Sequence, residues 1–346
     1  MYVLLAVLML SLLIVAHELG HYLVARLCGI AVKEFSVGMG PLLLSRKREG
    51  KAQFSLRALP IGGYCMFYSD ADAPQERGLS MNRQSVWKRI AMVAGGPLMN
   101  FAVALVVVVL YVSGLGVRTV VPRVGELEEN AAAAGLQVGD ELLYVNGVPV
   151  NSSNDVVNAI AAADGGSVVF TVYRGGEQVD VQLSPFYDEE AQRYRVGFSF
   201  AVERQRVPLL ESVPFAVSYC VSSVRMIVDA LGGMISTGRG TEDLTGLVGT
   251  VYVIQDATRS GGFEMVLELL AMISVNLGVM NLLPVPGLDG SKLIFLLGEA
   301  ICGKPLPEKI ETGLTMAGFA LIFALMIALT YRDLMQIVTG RMWRPS

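Results

Sequence analysis

Four stretches of this chain are apolar over a length that can cross a membrane: residues 2–29, about 92–117, about 265–283 and about 315–331. A hydrocarbon core of about 30 Å needs about 20 apolar residues in a helix. Lipid offers a backbone no hydrogen-bond partners, so each run must close its own bonds as a helix. The composition agrees. Hydrophobic residues make up 53% and charged residues 17%, against about a quarter charged in a soluble domain. The first run has no basic segment ahead of it and outlasts a signal-peptide core, so it reads as a retained helix. Net charge is −4, which speaks against nucleic acid as a partner. Cys28, Cys65, Cys220 and Cys302 form no CxxC pair; neither a disulfide framework nor a thiolate metal site is expected.

Residues 213–231 are apolar over a spanning length but carry Arg225 and Asp229. They form either a fifth span or an amphipathic helix on the membrane surface. Residues 119–202 differ in kind. Short strand-like runs alternate with turn signals, as in Leu142-Leu143-Tyr144-Val145 before Asn146-Gly147, and in 168–173 before Arg174-Gly175-Gly176. That pattern predicts a small soluble domain, mostly β or α/β.

Charge gives an orientation. Loop 30–91 holds ten basic residues: Lys33, Arg46, Lys47, Arg48, Lys51, Arg57, Arg77, Arg83, Lys88 and Arg89. The soluble domain is rich in Asp and Glu. The positive-inside rule places the loop in the cytoplasm, and the N-terminus and soluble domain outside it. Arg332, Arg341 and Arg344 in the tail run against this assignment.

The chemistry concentrates in His17-Glu18-Leu19-Gly20-His21, an HExxH motif. Helix positions i and i+4 share a face, so the two imidazoles can grip one Zn²⁺ while Glu18 activates the attacking water. The chain has only two histidines, and both fall in this motif. Chance would arrange that in roughly fewer than one chain in a hundred. Two histidines packed in a helix bundle are the bland alternative, but His and Glu in a spanning helix are costly without a purpose.

Catalytic zinc commonly takes three protein ligands and a water. With no third histidine, the remaining ligand is Asp, Glu or Cys. Asp289 follows the third span, where Pro284 and Pro286 break the helix. Broken backbone at membrane depth must face protein or a cavity. From the local sequence Asp289 serves equally well as a helix N-cap, and Cys28 and Glu268 are further ligand candidates. His17 lies about 24 Å along its helix at 1.5 Å per residue, inside the membrane toward the cytoplasmic face. Asp289 meets it only if the third span also runs inward. A crossing at 213–231 would reverse that direction, so this segment is expected to stay on the outer face, amphipathic or reentrant.

These residues resemble the site-2 proteases, specifically the bacterial regulator-of-sigma-E type. HExxH in the first span, and Asn281, Pro284 and Leu288-Asp289-Gly290 after the third, carry the likeness. Gly38-Met39-Gly40-Pro41 and Leu59-Pro60-Ile61-Gly62-Gly63-Tyr64 resemble that family's glycine-rich segment and membrane-reentrant β-hairpin. The stretch from Ala94-Gly95-Gly96-Pro97 to Asn100-Phe101 resembles the opening of its second span. Ala134-Gly135-Leu136 through Asp140-Glu141-Leu142, then Asn146-Gly147, looks like a circularly permuted bacterial PDZ domain.

The resemblance implies a zinc-dependent intramembrane endopeptidase. His17, His21 and Asp289 would hold Zn²⁺, with Glu18 as general base. Asn281 and Pro284 would line the substrate's path, Asn281 bonding its unwound backbone. The hairpin at Gly62, Gly63 and Tyr64 would offer that backbone a strand edge. Expected substrates are transmembrane proteins or peptides, such as anti-sigma factors or remnant signal peptides, cut in the lipid bilayer. Ser291-Lys292 departs from the family's usual continuation. Gly62-Gly63 and Gly95-Gly96 also suit plain turns or close helix packing, and Asn281 suits helix–helix adhesion. A membrane scaffold acting through its PDZ domain, with an idle metal site, is the rival reading.

The expected architecture is therefore an α-helical, multi-pass cell-membrane protein with four transmembrane helices. Residues 1–118 form the first half of a protease core and 119–202 one inserted extracytoplasmic PDZ-like domain. Residues 203–262 form an outer amphipathic segment, and 263–346 the second half of the core. The PDZ-like domain cannot touch a buried metal. It would act on access, by filtering substrates on size or by capturing a C-terminal peptide.

Overall fold

The computed structural model describes residues 2–47, 52–68, 79–188, 193–238 and 246–339. Arg48, Lys51, Arg77, Arg341 and Arg344, counted in the charge argument, lie outside them. The chain divides into two compact units, Met1–Tyr111 with Pro208–Ser346, and Val112–Val207.

In the first unit, α1 (Tyr2–Leu27) is followed by β1 (Val32–Arg46) and β2 (Gln53–Phe67), then α2 (Val86–Gly114). After the second unit come α5 (Leu209–Thr237), α6 (Leu247–Leu282), α7 (Asp289–Cys302) and α8 (Glu308–Val338). α6 is two helices joined at Gly262, whose φ of 62° and ψ of −149° no helix accommodates.

The helices run in a definite sense. Ala6 and Met9 of α1 pack with Leu269 of α6, and farther along, His17 of α1 meets Asp289, just past the end of α6. The stretch from Gly262 to Leu282 is therefore parallel to α1, the direction that ligation by Asp289 demands. α2 lies antiparallel to both. Near its C-terminus the Tyr111 hydroxyl donates to Glu264 at 3.0 Å, and farther back the Asn100 carbonyl accepts from Ser274 Oγ at 2.8 Å.

Among the described residues, five helices are long and apolar enough to cross a membrane, where the sequence reading expected four. The additional one is Leu209–Met234. Arg225 and Asp229 stand four residues apart, on one face of the helix. Val217, Cys220, Val221, Val224, Ile227 and Val228 recur at helical spacing. Cys220, Val224 and Ile227 seat α5 against Ala104, Val275 and Val279, the middle of α2 and α6. The segment is one unbroken helix with a packed apolar stripe.

The expected hairpin is also more elaborate. Ser36 pairs with both Tyr64 and Ser55, and Ser55 pairs in turn with Ser45. β1 and β2 thus fold as four short antiparallel segments, in the order 63–67, 32–37, 53–57, 42–46. Gly38 and Gly40, at φ of 81° and 84°, let β1 turn between its two segments.

The second unit contains β3 (Val117–Leu127), α3 (Glu129–Ala133), β4 (Glu141–Val145), β5 (Val148–Pro149), α4 (Ser153–Ala162), β6 (Val168–Arg174), β7 (Glu177–Leu183), β8 (Phe186–Asp188), β9 (Arg193–Arg195) and β10 (Phe198–Gln205). A six-stranded sheet has the order β10-β3-β4-β6-β7, with β5 beside β4. Leu142, Val145, Val156, Val168 and Phe170 form its buried core. The Asn146-Gly147 and Gly175-Gly176 turns have positive φ at both positions, as two-residue hairpins require.

The carboxylate of Asp140 is buried and takes two hydrogen bonds from Arg174, at 2.7 and 2.6 Å. Burial opposes its ionisation, yet these bonds and the Gln137 amide hold its pKa below the usual value. The pair thus adds stability in full above the unfolded carboxylate's pKa of about 3.9, and that stability is lost as pH falls through the lowered folded value. Asp140→Ala should cost this unit about 1–3 kcal/mol. Hydrogen exchange of β4 and β6 in the full chain at neutral pH would show faster opening.

Candidate metal centre

α1 brings His17 and His21 to one face, one turn apart. The opposing surface is α2, and it fits because it lacks side chains where the rings sit. A Cβ on Gly96 would stand 2.4 Å from His21 Nε2 and 2.7 Å from His17 Cε1. A Cβ on Gly20 would stand 2.1 Å from the Gly95 carbonyl oxygen, so the two helices touch backbone to backbone. Close packing, one of the two readings open for Gly95-Gly96, is what these glycines provide.

Asp289 arrives from the other side. Pro284 and Pro286 end α6, Gly287 turns at φ of 99°, and α7 starts at Asp289 itself. The N-cap position belongs to Leu288 and carries no side-chain cap, so the capping role open to Asp289 is not the one it fills. Gly290 is required beside it, since a Cβ there would stand 2.2 Å from the Leu283 carbonyl oxygen.

The three ligand atoms form a nearly equilateral triangle. His17 Nε2 and Asp289 Oδ2 are 3.0 Å apart, His21 Nε2 and Asp289 Oδ2 3.2 Å, and the two Nε2 atoms 3.2 Å. Tetrahedral zinc with ligands at about 2.0–2.1 Å calls for edges of about 3.3 Å. Asp289 Oδ2 is buried with no hydrogen-bond partner. A carboxylate oxygen only accepts, and a neutral imidazole has one bare nitrogen. Three lone pairs converging in a buried spot repel unless a cation lies between them, so the donor set fits zinc. Cys28 and Glu268 are not in this cluster.

Each ring is held from behind by α2. His21 Nδ1 is 2.9 Å from the Met92 carbonyl oxygen, and His17 Nδ1 is 3.2 Å from the carboxamide of fully buried Asn100. Glu18 stands within electrostatic range of His17, His21 and Asp289. Its Oε2 accepts the Cys65 amide at 2.9 Å, so a strand edge orients this carboxylate. Gly63 lies close against β1, 2.6 Å from its Cβ position to the Ser36 carbonyl oxygen. Gly62 adopts φ of 70°, and Tyr64 carries the Arg57 guanidinium over its ring at 5.4 Å. Asn281 occupies the last turn of α6, half-buried, and Pro284 is exposed just beyond; neither joins the triangle. Sequence reasoning assigned no role to Asn100, and for Gly96 it offered a turn or close helix packing without naming the histidine rings as what comes close. The signal for both was present in Gly-Gly-Pro-x-x-Asn within an apolar run.

The family described as Peptidase family M50 matches residues 5–325. A provisionally named zinc metalloprotease of Agrobacterium fabrum is 32% identical over 360 residues, covering 96% of this chain and 95% of its own. One from Clostridium acetobutylicum is 31% identical over 333 residues, covering 96% of each chain. One from Helicobacter pylori is 31% identical over 352 residues, covering 96% of this chain and 99% of its own. Among solved structures, the PDZ domain of an SdrC-like protein from Listeria monocytogenes aligns at 18% identity with 24% of this chain and 86% of its own. Its TM-score of 0.21 carries no weight.

Proposed function

The chain belongs to peptidase family M50 and is a metalloprotease, and we propose that it hydrolyses peptide bonds within or beside the transmembrane segments of other membrane proteins. The observation that carries this reading is the buried triangle of His17, His21 and Asp289: α1, which carries both histidines, and the stretch Gly262–Leu282, which leads to Asp289 at the start of α7, are each long and apolar enough to span a bilayer. Zinc held there supplies a Lewis acid and a water acidified toward neutral pH. Glu18 takes the proton of the attacking water and passes it to the leaving amine. The Cys65 amide keeps one carboxylate oxygen occupied and leaves the other for that transfer.

A helical substrate has no free backbone groups, so it must unwind to be cut. In an antiparallel pair, alternate residues direct their N–H and C=O away from the partner strand. The edge at Gly63 faces α1 and offers those groups to an extended substrate, while the Cys65 amide stays with Glu18. Tyr64 packs beside this edge, and Asn281 and Pro284 mark the far wall of the path. The inserted domain is PDZ-like and lies outside the cytoplasm with the N-terminus, as the basic loop 30–91 argues. It admits trimmed substrates or captures their C-terminal peptides.

Asp289→Asn should weaken zinc binding and slow cleavage together, because a neutral amide is a poorer third ligand for a dication. Metal content and rate measured on the same purified sample decide it. A variant with wild-type zinc and wild-type rate would remove Asp289 from the site.

A further inference from the structure

We propose that Asn100 is the positioning residue for His17, accepting the Nδ1–H of its ring through Oδ1 and so fixing the tautomer that binds metal. The inference rests on the zinc reading of the site and adds a residue to it.

A neutral imidazole that gives its Nε2 lone pair to a metal keeps its single proton on Nδ1. That proton needs an acceptor, and such outer partners orient the ring and raise its basicity as a ligand. For His21 the acceptor is the Met92 carbonyl at 2.9 Å. For His17 the atom facing Nδ1 is the Asn100 carboxamide nitrogen, Nδ2, at 3.2 Å. With the NH₂ end toward Nδ1–H, two donors would meet. The Asn100 Oδ1 in that orientation is buried and has no partner. A half-turn about Cβ–Cγ exchanges two nearly isosteric ends. It brings the stranded acceptor to the proton that needs it. Asn100 is 0% exposed. Its own carbonyl accepts from Ser274 Oγ at 2.8 Å, which ties this stretch of α2 to α6. The backbone at Asn100 is therefore tied to α6, and its fully buried side chain faces His17 from that fixed point.

The test compares Asn100→Leu and Asn100→Asp with wild type in the full chain, by chelator competition for zinc and by ¹⁵N-histidine NMR of the zinc-loaded protein. Only two histidines exist, so each spectrum contains two rings. Leu removes the acceptor and should lower zinc affinity about 10–100-fold. Asp keeps an acceptor and loses the donors, so it should hold zinc within a few-fold of wild type. In wild type both rings should carry the proton on Nδ1. In Asn100→Asp the His17 Nδ1–H resonance should move downfield while that of His21 stays in place.

Zinc as tight in Asn100→Leu as in wild type would overturn the proposal. So would an Asn100→Asp variant as weak as Leu, because the amide would then have been donating. Should Leu fail to fold, the Asp comparison and the wild-type ring spectrum decide; a His17 ring without a proton on Nδ1 overturns it. Wild-type protein that takes up no zinc would instead sink the zinc reading itself.

Discussion

Glu18→Gln should abolish peptide hydrolysis and leave zinc bound. Gln has the size of Glu and retains an oxygen that can accept the Cys65 amide, the bond seen at 2.9 Å in the wild type. The strand edge beside the site should therefore stay where it is. What Gln lacks is the ability to take a proton. General-base catalysis contributes about 10²–10⁴-fold, so the residual rate should fall below ordinary detection. Metal content must be measured beside activity. Inactive protein with a full complement of zinc gives Glu18 the role of base, and inactive protein stripped of zinc would make it a ligand. Retained cleavage would remove it from the mechanism.

Gly96→Ala should be nearly as damaging, although Gly96 neither binds metal nor moves a proton. The added methyl would lie 2.4 Å from His21 Nε2, 2.6 Å from His21 Cε1 and 2.7 Å from His17 Cε1. Retreat of α2 would open the close backbone packing at Gly20 and Gly95. The imidazoles must move instead. A displacement on the order of 1 Å at a reacting centre costs about 10²-fold in rate, and zinc affinity should fall with it. Gly114→Ala at the far end of the same helix is the control, since a Cβ there meets nothing within 4 Å. It should leave zinc and rate unchanged. Equal losses in both variants would mean that helix stability, and not room for the rings, is what Gly96 provides.

The first half of the site was legible because its residues are neighbours along the chain. Helical periodicity alone puts His17 and His21 on one face, and the shortage of histidines made the motif stand out. Asp289 was legible only as one of several candidates. Its side chain could cap a helix or ligate a metal, and the choice depends on where α7 begins and what faces it. Asn100 and Gly96 were harder still. One lies 83 residues from His17 in sequence and the other 75 from His21, and their roles exist only once α1 and α2 are antiparallel and in contact. Glycine says that something must come close, without saying what.

The same limit explains the differences in fold. In residues 213–231 the apolar stripe and the charges Arg225 and Asp229 suit a surface helix and a packed one alike; only the partners on α2 and α6 separate them. Resemblance alone suggested a glycine-rich segment at 38–41 and a hairpin near Tyr64, whereas β1 and β2 each divide into two segments and pair as four. In the second unit the turns were legible, because Asn-Gly and Gly-Gly dictate their own φ.

Cutting of polypeptide inside a membrane, with zinc held by His17, His21 and Asp289, is the activity we propose. The most direct measurement reconstitutes the purified protein in lipid vesicles with a single-span substrate and maps the products by mass spectrometry. The expected result is one cut within or beside the apolar segment, lost on removal of zinc by a chelator, restored by added zinc and absent with Glu18→Gln. Cleavage confined to soluble loops, or cleavage indifferent to zinc removal and to Glu18, would contradict it.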